Sequence, residues 1–227
     1  MFDDLFDSLA TSIADDALDD YWGDALFGVD ETESETEQTV SARALRIRAR
    51  RLLERKKHKE TLQNLIESPP KPGESIHVVG RNFNAWDWVP AIGEWVGAVD
   101  ELYLCTWGIA MTEANEILRF IDEGKVRKEV GVAIGRFFKK ERADVYFKLA
   151  KGLSKVDGWL KACKVHAKVI LMSNEETGDY FTIEGSGNLT MNPNVEQYCA
   201  TNDKELWEFH RKWMREFKRL KDPSPTW

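Results

Sequence analysis

The chain has 227 residues, 42% of them hydrophobic, with nine tryptophans and a net charge of −7 from 39 acidic and 32 basic side chains. That length allows one well-buried domain plus an extension, and no apolar run approaches the roughly 20 residues needed to span a bilayer. The acidic N-terminus has no basic stretch followed by an apolar one, so a secretory signal is not expected and a cytoplasmic location is. Cys105, Cys163 and Cys199 are odd in number, form no CxxC pair and lie in apolar, strand-like contexts, which reads as reduced thiols acting as small hydrophobes. No Cys/His cluster has metal-ligand spacing, so neither a metal nor another cofactor is expected.

The net charge hides an asymmetry. Residues 1–42 hold 13 acids and no Lys or Arg, which leaves 26 acids and 32 bases in the remainder, a net of +6. Most of that excess falls in residues 41–60, with nine basic side chains against two acidic. Residues 1–27 read as an acidic amphipathic segment, with Phe2, Leu5, Phe6, Leu9, Ile13 and Leu18 at roughly helical spacing. Residues 28–38 have almost no apolar side chain and read as a linker. This places an acidic arm and linker over 1–38, a basic helix over 39–70 and a catalytic domain over 71–227. Ser41 is the expected cap of the basic helix, and Pro69-Pro70 ends it. Arg43, Arg46, Arg50, Arg51 and Lys57 on that helix can grip nucleic-acid phosphates. They can equally pair with the acidic arm of the same chain, or the arm can bind another protein.

From residue 74 onward strands and helices alternate. Strands are expected over 75–79, 101–109 and 129–134, and helices over 86–96, 112–122 (capped by Thr112) and 139–154. Connections of this length imply crossovers and a mainly parallel mixed sheet flanked by helices, an α/β fold with a helical N-terminal extension. Farther on, 164–173 reads as a strand, 174–179 as a turn, 180–184 as a second strand running into Gly185-Ser186-Gly187-Asn188, 197–202 as a last strand and 204–220 as a closing helix.

One constellation in this stretch carries chemistry. His166-Ala167-Lys168 is followed by a hairpin, then by Gly185-Ser186-Gly187-Asn188, then by Glu196. Cleaving a phosphodiester needs a nucleophile, neutralisation of the non-bridging oxygens and a proton for the leaving oxygen. A neutral His166 imidazole is a nucleophile. Lys168, two residues on, leaves an extended chain on the same side. Ser186 and Asn188 add neutral donors, and Gly185 and Gly187 allow a phosphate to approach the backbone. Trp107, at the end of an inner strand, is either a wall of the substrate cleft or a core residue. His58, His77 and His210 have no comparable partners.

The pattern His-x-Lys, then Gly-Ser-x-Asn, then an acid resembles the signature of the phospholipase D superfamily, in its single-motif branch of small bacterial and phage-encoded nucleases. The resemblance covers about residues 75–220 and implies a phospholipase D-like fold. It implies catalysis by His166, Lys168, Ser186 and Asn188 through a phosphohistidine, and a role for Glu196 in fixing the imidazole tautomer. One position departs from the signature: the Asp expected a few residues after Lys168 falls near Ser173, and Glu175, Glu176 and Asp179 lie in the turn beyond. The mechanism wants two imidazoles and the chain has one motif, so a homodimer is expected. The basic segment and the cytoplasmic expectation (host cytoplasm, if the chain is phage-encoded) favour a metal-independent nuclease, with DNA ahead of RNA and no membrane partner. The alternatives are a phospholipid hydrolase and a catalytically silent nucleic-acid-binding or structural phage protein.

Overall fold

The computed structural model describes residues 62–81, 83–191 and 194–220. The expected acidic arm and the candidate phosphate-binding residues Arg43, Arg46, Arg50, Arg51 and Lys57 lie outside these residues; of the expected basic helix, residues 62–66 are described and are helical.

Alternation of apolar side chains builds the sheet and both of its cores. On strand β2 (Val99–Thr106), Leu102 and Leu104 point to one face, Tyr103 and Cys105 to the other, and all four are buried. Leu102 and Leu104 join the larger core beneath helices α1 (Trp88–Val96), α2 (Met111–Asp122) and α4 (Ala143–Leu153), with Trp88, Ile92, Ile117 and Leu149 fully covered. Tyr103 and Cys105 join a smaller core, closed by Trp207 and Met214 of α5 (Lys204–Lys218). Helices therefore flank both faces, as a sheet apolar on both sides requires. No helix among the described residues is long and apolar enough to cross a membrane.

The remaining strands are β1 (Ser75–Gly80), β3 (Val126–Gly135), β4 (Gly158–Cys163), β5 (Val169–Asn174), β6 (Asp179–Gly185) and β7 (Glu196–Asn202), in the spatial order β1-β7-β6-β5-β2-β3-β4. The mixed α/β sheet expected from the sequence is present, but its balance of directions differs. Only β2–β3 and β3–β4 are parallel, and the other four pairings are antiparallel. The reason lies in the connections. Helical crossovers link β2, β3 and β4, whereas residues 175–178 turn β5 directly into β6, and a short hairpin link permits only antiparallel pairing.

Local boundaries also shift. Ala110 takes the N-cap position of α2, so Thr112 falls inside its first turn. The single helix expected over 139–154 is two, α3 (Phe138–Glu141) and α4, separated by Arg142 at φ −128°, ψ 54°. The strand expected over 164–173 begins only at Val169, and β4 before it is a strand of its own at the sheet edge.

Helix α5 is anchored by ions as well as by its apolar face. Arg211 donates to both carboxylate oxygens of Glu101 at 2.5 and 2.6 Å. Buried Glu129 receives Lys218 at 2.6 Å and the Tyr103 hydroxyl at 2.5 Å, and these partners hold its pKa below the usual carboxylate range against the opposing effect of burial. The fit beneath α5 is tight. A Cβ at Gly131 would stand 2.3 Å from Trp159 Cζ2 and 2.4 Å from Tyr103 Cδ1. Gly131→Ala is expected to lower the unfolding free energy by about 1–3 kcal/mol, read from denaturant titration.

Candidate active site

His166 and Lys168 sit on the five-residue passage between β4 and β5. Those strands are separated in the sheet by β3 and β2, so the passage crosses three strand spacings, about 14 Å. Six Cα steps reach at most ~20 Å, so the passage has little slack. It bends once at Lys164, where the Val165 N–H donates to the Cys163 carbonyl at 2.9 Å, and then crosses the carboxyl ends of β3 and β2. His166 and Lys168 come together on the part of the passage that follows this bend. The Lys168 ammonium lies 3.2 Å from Nδ1 and 3.3 Å from Nε2 of the imidazole and donates to the His166 carbonyl at 2.9 Å.

The Trp107 indole, just past β2, lies with its ring centroid 5.3 Å from that of His166. Partial burial and the Lys168 charge together hold His166 below its ordinary pKa, which favours the neutral ring within one copy of the chain. Lys168 is half-buried, and burial lowers its pKa while the Glu196 carboxylate works in the opposite direction. A narrow cleft beneath Lys168 is lined by Cys105, Thr106, Gly185, Gly187 and Tyr198. Burial pushes the Cys105 thiol up to about 12, so it is an inert wall.

Asn188 enters the site from the loop after β6. Its side-chain oxygen lies 3.2 Å from both Thr106 Oγ1 and the Trp107 backbone nitrogen. Two donors on the oxygen turn the amide nitrogen the other way. The same loop is tied to the end of β2 by the Ala110 N–H, which donates to the Leu189 carbonyl at 2.9 Å, and by the parallel bridge between Ile109 and Leu189.

Ser186 and Glu196 form a pair of their own. The Ser186 hydroxyl donates to the Glu196 carboxylate and accepts from the Gln197 N–H at 3.1 Å. The Ser186 N–H donates to the Gln197 carbonyl at 3.0 Å. Glu196 is buried and shares a hydrogen bond with Ser186; the expected bond from Glu196 to the His166 ring is not formed within the chain. The two glycines have a packing reason. A Cβ at Gly187 would stand 2.1 Å from the Tyr198 hydroxyl, and one at Gly185 would stand 2.3 Å from Tyr198 Cδ1. Tyr198 is the floor of the site that the motif alone did not reveal. Thr106 was also missed, because a threonine closing an apolar strand carries no signal of its own.

The departure at position 173 has a structural counterpart. Ser173 is buried on β5 directly opposite Glu101 of β2. An Asp there would face the carboxylate that already binds Arg211, and like charges directly opposite destabilise a sheet. The turn acids are occupied as well: Glu175 pairs with Lys128, and Asp179 accepts from Asn202 at 2.7 Å.

No protein-family model and no curated protein matches the sequence. Among solved structures the chain is similar to Nuc, a phospholipase D family member from Salmonella typhimurium, at 16% identity and a TM-score of 0.47, over 64% of this chain and 95% of that one. It is similar to NucT from Helicobacter pylori at 11% identity and a TM-score of 0.45, over 64% and 96% of the two chains. It is also similar to TrmBL2, an archaeal chromatin protein with a novel mode of DNA binding, at 16% identity and a TM-score of 0.44, over 80% and 67%.

The electrostatics predict a titration. His166 should titrate below pH 6.5 in an NMR experiment, and Lys168→Gln should move its midpoint upward, because removing the neighbouring cation favours the imidazolium. An unchanged midpoint in the variant would show that Lys168 does not act on the ring.

Proposed function

We propose that this chain is a phosphodiesterase that cleaves nucleic-acid phosphodiester bonds through a phosphohistidine formed on His166. The observation that carries this reading is the contact of His166 with Lys168 and with Trp107, whose backbone N–H holds the Asn188 amide, at the carboxyl ends of the parallel strands, where open α/β sheets place their ligands. Neutral His166 attacks phosphorus and forms an N–P bond as the bond from phosphorus to the leaving oxygen breaks. Lys168 and the Asn188 amide neutralise the non-bridging oxygens, a task that a divalent cation performs in other phosphodiesterases. Ser186 and Glu196 act as positioning residues, fixing the loop that carries Asn188. Water then hydrolyses the N–P bond and frees the imidazole.

The leaving oxygen needs a proton, and a second imidazole in acid form is the fitting donor. Two-fold association supplies it from a second copy of His166, so the working unit is a homodimer with one shared phosphate site. The basic segment over 41–60 adds phosphate contacts, which favours a polynucleotide over a lipid.

Three measurements test this reading together. Turnover of a labelled oligonucleotide should survive excess EDTA. His166→Ala should lower it by about a thousandfold or more, the scale of a lost nucleophile or acid. Equal mixing of unmodified and His166→Ala subunits should leave about a quarter of the turnover, the share of dimers with two intact copies. Complete loss in EDTA restored by magnesium, or half the turnover retained on mixing, would contradict it.

A further inference from the structure

The parallel strands deliver more than the reacting groups to this edge. β2 runs out into Trp107, β3 into Arg136 and Phe137, and β4 into Lys164. The registers make these ends neighbours, since Thr106 pairs with Ile134, and Gly135 with Cys163. Trp107 bridges them. A Cβ at Gly135 would stand 2.8 Å from the Trp107 carbonyl and 3.0 Å from its Cε3, so glycine there lets the indole lie over the end of β3 while its ring packs against His166. The indole thus connects the nucleophile to the residues that follow β3.

Those residues are unusual for a surface. Phe137 is 44% exposed, and the Arg136 guanidinium lies 4.4 Å over its ring. Lys140 follows on the adjoining helix α3 and is exposed, as is Lys164 after β4. None of the ion pairs among the described residues involves Arg136, Lys140 or Lys164. By contrast, the cations Arg211, Arg215 and Lys218 of α5 are tied to Glu101 and Glu129. The edge beside His166 therefore offers aromatic faces interleaved with uncompensated positive charge.

We propose that Trp107, Arg136 and Phe137, with Lys140 and Lys164, form a track for an unpaired polynucleotide strand whose reacting phosphate sits at His166. Base faces stack on aromatic rings and phosphates meet the cations, the two devices by which proteins hold single strands without reading sequence. A duplex buries its base faces in its own stack and gains only the charge contacts, so strand preference follows from the aromatic residues. The proposal rests on the phosphodiesterase reading and assigns its substrate class.

The test uses the full chain carrying His166→Ala, to prevent cleavage, and fluorescence anisotropy in EDTA with dye-labelled oligo-dT, oligo-U and a DNA duplex, each of about twelve nucleotides. At least one of the two single strands should bind about tenfold tighter than the duplex. Phe137→Leu should lose about that factor for the single strand and leave duplex binding unchanged, while Phe137→Tyr retains the affinity. Equal affinity for duplex and both single strands, or Phe137→Leu binding as tightly as Phe137, would overturn the proposal. Hydrolysis of bis(4-nitrophenyl) phosphate by the unmodified chain reads the His166 chemistry separately: absence of turnover there counts against the phosphodiesterase reading, whereas the strand comparison decides the track.

Discussion

A short passage between two distant strands governs this site. β4 ends at one edge of the sheet and β5 begins three strand positions away, with only residues 164–168 between them. So few residues leave little slack. After one bend, closed by the Val165 N–H on the Cys163 carbonyl at 2.9 Å, they must cross the carboxyl ends of β3 and β2. His166 and Lys168 are brought together by that requirement, and Trp107 at the end of β2 is what they cross.

The other half of the site is held from below. Asn188 is locked by Thr106 and the Trp107 N–H, and the chain on either side of it is pinned by Ser186 to Glu196 and by Leu189 to Ala110. Tyr198 fills the space that side chains at 185 and 187 would need. The glycines of the motif therefore serve a close approach between loop and ring in this chain, whatever further freedom they give a bound phosphate. Neutralised charge at the opposite ends of β2 and β3 stabilises the platform: Glu101 and Glu129 take cations from α5, and Asp100 takes Arg127 at 3.1 Å. A carboxylate at position 173 would add to that cluster, and the serine found there avoids it.

Much of this was legible in the residues. The His-x-Lys and Gly-Ser-x-Asn spacings marked the candidate site, and apolar alternation placed most strands and helices within a few residues. What the sequence hid was hidden for physical reasons. Polar and apolar residues alternate from Cys163 to Val169 as they would in a strand, so nothing local marks where β4 ends and the crossing begins. Strand direction depends on which strand lies alongside, and the antiparallel pairing of β5 with β2 joins residues about 70 positions apart. Glu196 was expected at the imidazole because its chemistry suits that role, but the turn after β6 brings the Ser186 hydroxyl to it first. Arg136 and Phe137 gave no signal at all, since an aromatic beside an arginine is ordinary until three strand ends converge on it.

The proposed chemistry turns on a covalent bond between His166 and phosphorus. The most direct measurement is a rapid denaturing quench of the full chain during turnover of a phosphodiester labelled at its phosphate, followed by peptide mapping. One acid-labile phosphoryl adduct is expected, located on His166, that forms and decays at rates compatible with turnover. Turnover with no label on the protein, or label on a residue other than His166, would contradict it.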